Sequence, residues 1–407
     1  MTDPANDITN TVSTRLDSID FIRGVVLLGI LVMNIVGFAM PQSAYFTPRH
    51  VAGYDWGNLD GANGVIQQTM HFLAEGKFIS IFAMLFGVGV FIQRDRAIAA
   101  GHGLWQQNAR MIVLMLIGLL HAHLLWYGDI LFCYAVVACV AVLCVRLRPL
   151  SQLAIGVVSI TIPLLIFIGL GALTYSVETP GMLDDTRAEM VPTDSLIAGE
   201  IAAYRGPYLG QFADRSTTSV YMQTVGLVMF TGPLTFGLML VGMSLYRWGW
   251  FTTPLNLKTA STSMLLLICG FAIQAAGTFG NFRTGDDVFY LMLIWFPTFT
   301  MGMWLVAIGY AKALATCALC FPSSVTRWFT DVGRMSLSNY LLQTILCTSL
   351  FYGHGLGWFA TMDRVALVPV VLGVWAVNLI FSRLWLSAFP IGPAEWVYRR
   401  GAKLIGG

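Results

Sequence analysis

Apolar stretches of roughly twenty residues recur along the chain, long enough to cross a bilayer as helices. They fall near 19–40, 65–92, 109–126, 129–146, 152–176, 219–245, 259–279, 288–311, 335–353 and 364–386. Lipid leaves backbone polar groups no partner but the helix itself, so this pattern predicts an all-α polytopic membrane protein of about ten spans. The second stretch is interrupted by His71, Glu75 and Lys77, which predicts an interfacial start and entry near Gly76. The resulting organisation is a polar tail over 1–18, five helices over 19–176, a connection over 177–218, five more helices over 219–386, and a tail over 387–407. Within the connection, Tyr204, Arg205, Tyr208, Phe212 and Arg215 recur at roughly helical spacing. This reads as an amphipathic helix on the outer leaflet or, alternatively, as a lid or acceptor site. The last tail, with Pro393 at its start and Arg399 and Arg400 near its end, reads as an interfacial helix.

Composition supports the class. Only 11% of residues are charged, too few to cover a water-facing surface of this size. The net charge of +2 generates no field that would gather nucleic acid. Positive charge is nevertheless unevenly placed. With the N-terminus inside, Arg94, Arg96, Arg110, Arg146, Arg148, Arg247, Arg327 and Arg334 join others on the cytoplasmic side. The outer loops keep Arg49, Arg187, Arg205, Arg215, Arg283 and Arg364. By the positive-inside rule both termini are expected in the cytoplasm. The first residues lack a basic region and a cleavage site, so no signal peptide is expected. Cys317 and Cys320 form a lone C-x-x-C, more consistent with packed thiols than with redox or metal chemistry.

Polar side chains inside apolar runs carry the functional information, because a membrane tolerates them only at a cost. Asp20, Arg23 and Asn34 fall within about 60° of one another on the first helix. The bland reading is a helix start with an ion pair. The functional reading is a cationic contact for phosphate, which the Arg fork suits. His121 and His123 are two apart, about 200° on a helix, so they cannot share a metal and no metal site is expected. His121 and Asp129 lie on opposite arms of a short hairpin. Asp129 reads as an N-cap or as the carboxylate that orients a catalytic imidazole. His71 and Glu75 share a face, while Lys77 reads as a structural ion pair or a binding cation. Arg334 stands at the cytoplasmic mouth of the ninth span, with Asn339 and Gln343 inside it as interhelical amides or substrate contacts.

Taken together, these pieces resemble the YeiB family of bacterial membrane proteins, which carry domain of unknown function 418. The resemblance runs nearly end to end: Leu16 to Asn34; Pro41 with Ala44 and Tyr45; Gly76 to Phe78 with Leu85 to Gly89; His121 to Leu131; Val332 to Tyr352; and Gly392, Pro393, Glu395 and Trp396. In the family pattern His121 and Lys77 are regular positions, whereas His71, Glu75 and His123 are not. The fold is similar to the wider transmembrane acyltransferase group, which includes lysosomal heparan-α-glucosaminide acetyltransferase. Its Asp-x-x-Arg-Gly pattern is matched by Asp20, Arg23 and Gly24. No motif aligns that group's catalytic histidine with His121. The resemblance implies a bacterial inner-membrane protein that takes an acyl group from cytoplasmic acyl-CoA, with no tightly bound cofactor, and passes it to a carbohydrate-like acceptor outside. His121 and Asp129 would be catalytic. Asp20, Arg23, Asn34, Lys77, Arg334, Asn339 and Gln343 would contact the substrates.

Two other classes remain open from the sequence. Intramembrane charges suit a small-molecule permease, although no repeat between the halves is visible. A non-catalytic scaffold would leave the polar groups without a task.

Overall fold

The computed structural model describes residues 4–101, 103–177, 192–284 and 287–406. Part of the expected 177–218 connection, including Pro180, Gly181 and Arg187, lies outside the described residues. The described secondary structure is helical, and no strand occurs in it. The main elements are α1 (Pro4–Ala39), α2 (Ala62–Leu73), α3 (Lys77–Ala99), α4 (Trp105–Leu120), α5 (Leu131–Ala141) and α6 (Pro149–Val177). They continue with α7 (Asp194–Arg205), α8 (Gln211–Tyr221), α9 (Gly232–Arg247), α10 (Leu257–Thr284) and α11 (Phe296–Cys320). The chain closes with α12 (Ser323–Arg334), α13 (Ser336–Phe351), α14 (Arg364–Ala388) and α15 (Pro393–Gly406).

Among the described residues, eight helical segments are long and apolar enough to cross a membrane, so the chain is a multi-pass all-α membrane protein. Two of the ten expected spans fall short of that length. Leu131–Cys144 is one, and α13, at 16 residues, is the other. At ~1.5 Å per residue α13 rises only about 24 Å, less than the ~30 Å hydrocarbon core. The polar groups of α13 face protein: Ser338, Asn339, Gln343, Thr344 and Thr348 are all buried. Short or interrupted helices persist at membrane depth where protein, not lipid, surrounds them.

The core forms where α1 crosses α3, α12, α13 and α14. The crossing of α1 and α12 is unusually close. A Cβ on Gly24 would stand 1.9 Å from the Phe329 carbonyl oxygen, and one on Gly333 would stand 1.8 Å from that of Asp20. Only glycine allows these backbones to approach so far, which explains the glycine that follows Arg23. The second expected span is two helices, broken at Gly76, whose φ of +71° suits glycine.

The stretch read as one amphipathic helix is α7 and α8, separated by Gly206–Gly210. Tyr204 and Arg215 are buried, while Phe212 is exposed. The Tyr204 and Arg215 side chains are therefore turned into the protein. Arg364, expected in an outer loop, is also fully buried. It donates to Gln67 Oε1 at 2.7 Å and to the carbonyls of Gly57 and Ala44. Arg205 likewise donates to the carbonyls of Phe359 and Ala360, at 2.7 and 3.0 Å. Guanidinium groups with this many acceptors tie loops together, because burying one unpaired would cost several kcal/mol.

Candidate functional site

The end of α4 widens into a π-helical segment, His121–Leu125. Beyond it the chain extends through Trp126 and re-enters the bundle as α5. Asp129 closes this hairpin with both oxygens. Its Oδ2 accepts the Phe132 N–H at 2.8 Å, capping α5, and its Oδ1 lies 2.9 Å from His121 Nδ1. Capping and orienting are thus done by one carboxylate. The pair is nearly sealed, with side-chain exposures of 1% and 2%.

The other imidazole nitrogen, Nε2, lies 2.9 Å from Thr344 Oγ1 on α13. An acceptor-only carboxylate at Nδ1 places the ring proton there, so Nε2 carries the lone pair and the threonine hydroxyl donates to it. Tyr340, one turn earlier on α13, leans on the His121 ring at 4.9 Å between centroids. Thr344, Thr348 and Tyr352 continue upward at four-residue spacing, one face of a helix. All three are buried.

Tyr340 also lines a cavity of about 1520 Å³ at the opposite end of the bundle from Tyr352. This end is basic. Arg23, Arg96, Arg110, Arg334, Arg399, Arg400 and Lys403 line the cavity, against the acids Asp20 and Glu395. Asp20 pairs with Arg23 at 3.1 Å, and Arg23 also reaches the Leu85 carbonyl. Glu395 is spent on α13: it accepts from Leu337 N and Ser338 N, and from the Ser338 hydroxyl. Basic side chains therefore outnumber acidic ones in the cavity lining.

The structure does not bring every expected residue here. Asn34 is half-buried and outside the cavity lining. Lys77 is fully buried at the start of α3. Its ammonium donates to the His71 carbonyl at 2.9 Å and sits 4.6 Å over the Phe299 ring, while His71 hydrogen-bonds Glu75. Asn339 and Gln343 form an interhelical ladder. Asn339 donates to Ser382 at 2.7 Å and accepts from Asn378, and Gln343 donates to Asn378 at 2.9 Å. Arg334 does line the cavity, tethered to the Pro390 carbonyl at 3.3 Å.

Several residues of the site were not singled out from sequence. Thr344 and Tyr340 were legible only as part of the α13 polar stripe. Arg399 and Arg400 read as interfacial anchors. They reach the cavity because α15 packs back on α4.

The family model for a protein of unknown function (DUF418) matches residues 245–404. A relative from Escherichia coli (strain K12), "Uncharacterized protein YeiB", is 30% identical over 392 residues, covering 94% of this chain and 95% of the relative. This chain belongs to the YeiB family. "Uncharacterized protein YxaH" of Bacillus subtilis (strain 168) is 28% identical over 404 residues, covering 96% and 94%. No solved structure matches. The DUF418 match spans Arg334, Thr344 and Glu395 but not Arg23, His121 or Asp129. In this YeiB-family chain, then, the candidate site joins the matched domain to the helices before it.

Proposed function

We propose that this protein is an acyltransferase of the bacterial cytoplasmic membrane. It takes an acyl group from acyl-CoA at the basic end and passes it to a carbohydrate-like hydroxyl acceptor from the far side. The observation that carries this reading is His121, fixed by Asp129, with its Nε2 lone pair aimed at a hydroxyl and its ring resting on a residue of the basic cavity.

At about 1520 Å³ the cavity exceeds the ~300–1,000 Å³ of ordinary ligand pockets, which suits a long nucleotide thioester. Its arginines supply forked donors for phosphates. Placing this end in the cytoplasm follows from the positive-inside rule. The Thr344 hydroxyl marks where an acceptor hydroxyl would stand. In the transfer, His121 Nε2 takes the acceptor proton while the acceptor oxygen bonds to the thioester carbonyl carbon. The carbon–sulfur bond then breaks, and the CoA sulfur leaves with the proton from the imidazolium. Asp129 stays ionised throughout and stabilises that imidazolium.

The test is acyl-CoA binding to detergent-purified protein, with Arg23→Ala and His121→Ala beside wild type. Wild type should bind, Arg23→Ala should bind at least about tenfold more weakly, and His121→Ala should bind normally yet transfer nothing. A wild-type protein that binds no acyl-CoA would end this reading.

A further inference from the structure

At the far end of the bundle Arg215 is fully buried. Its Nε donates to the His123 carbonyl at 2.8 Å, but Nη1 and Nη2 have no hydrogen-bond partner. No carboxylate stands within ion-pair distance of it among the described residues. The Tyr204 and Tyr352 hydroxyls are also buried and without a partner, and their rings meet at 4.8 Å. The Arg215 guanidinium stacks over Tyr208 at 5.0 Å. Tyr208 and Tyr352 both stand edge-on to His354, which is exposed, so the group adjoins the outside. Burial raises the titration of the Tyr204 phenol, and the Arg215 charge acts on it in the opposite sense.

An unpaired buried guanidinium costs several kcal/mol, and each unsatisfied hydroxyl adds to that. The two guanidinium nitrogens can only donate, and each phenol hydroxyl can donate as well. Their complement is a group made of acceptors and carrying negative charge. The fork of an arginine fits one kind of such group best, a phosphate or carboxylate. The position is also informative. Arg215 and Ser219 both donate to carbonyls of the π segment that holds His121, and Tyr352 ends the α13 stripe that passes Thr344.

We propose that Arg215, Tyr204 and Tyr352 form a binding site for an oxyanion, phosphate or carboxylate. On the transferase reading above, on which this assignment of role rests, the oxyanion belongs to the acceptor and holds its hydroxyl toward His121. The anion comes from a soluble molecule or from a lipid headgroup.

Purified protein is titrated with inorganic phosphate, and separately with acetate, against chloride at matched ionic strength, following tryptophan fluorescence and thermal unfolding. Wild type should respond saturably to one of them. Arg215→Gln should bind at least about tenfold more weakly, and Tyr352→Phe, which keeps the ring, several-fold more weakly. Native mass spectrometry of protein from phosphatidylglycerol vesicles reads the lipid source: lipid retained by wild type and lost from Arg215→Gln assigns the site to a headgroup. The proposal falls if phosphate, acetate and lipid all fail to bind wild type, or if both variants bind as wild type does. Should Arg215→Gln not fold, Tyr352→Phe decides alone. Acyl-CoA binding, measured at the other end, separates the two readings. Oxyanion binding without acyl-CoA binding sinks the transferase alone, and the reverse sinks this site alone.

Discussion

Asp129 divides its two oxygens between two donors, and replacing it by asparagine or by alanine should separate stability from chemistry. Alanine removes the acceptor for both the Phe132 N–H and the His121 Nδ1–H, in a place nearly closed to water. Each buried donor left unpaired costs about 1–3 kcal/mol, so Asp129→Ala should lose about 2–6 kcal/mol. Asparagine has a single oxygen. Kept on Phe132, it caps about as well as aspartate, and the stability loss should stay under about 1 kcal/mol. Its NH2 group then faces Nδ1 and forces the ring proton onto Nε2. That tautomer is no base, and no negative charge remains to stabilise an imidazolium. Asp129→Asn should therefore fold and bind acyl-CoA normally while transferring about 10²–10⁴-fold more slowly. Denaturant titration in detergent reads the first part. Release of CoA thiol from acetyl-CoA by proteoliposomes, with cell-envelope glycan supplied as acceptor, reads the second. An asparagine variant with wild-type turnover, or an alanine variant as stable as wild type, would refute the reasoning.

Two further outcomes follow from the geometry. Gly333→Ala places a Cβ 1.8 Å from the Asp20 carbonyl oxygen. The variant should lose about 1–3 kcal/mol of stability or more and, because α1 must shift, bind acyl-CoA more weakly; unchanged unfolding temperature and affinity would overturn the close-crossing account. Glu200 is half-buried beside Gln42, whose N–H it accepts at 3.0 Å; burial raises its carboxyl to about 7 from 4.5, against the pull of that hydrogen bond. Its folded form holds a proton that the unfolded chain has released, so its contribution is complete below pH ~4.5 and is lost as pH rises through ~7. Wild type should lose stability across that window and Glu200→Gln should not; parallel curves for the two would remove Glu200 as the cause.

Local features of this protein were legible where the chain neighbours are also the spatial neighbours. Asp20 and Arg23 are three residues apart on a helix, and their pairing at 3.1 Å needs only helical geometry. His121 and Asp129 are separated by one short hairpin, which by itself brings them within reach. The class of the protein came from composition and apolar run length, since a bilayer selects on these directly.

The rest was decided by how the helices pack. Nothing in the sequence near His121 indicates that Thr344, more than two hundred residues later, supplies the hydroxyl at its other nitrogen. Asn339 and Gln343 read as interhelical amides or as substrate contacts, and the rotation of α13 against α14 brings both within hydrogen-bond distance of α14. Lys77 sits in a family-like motif yet is buried on Phe299, away from the cavity, because α3 begins there against α11. Arg215 looked like an outer-leaflet charge until α8 turned it inward. Hydropathy and spacing constrain which side chains leave water and which lie on one face. The partner they meet there depends on which helix arrives, and that is a property of tertiary packing alone.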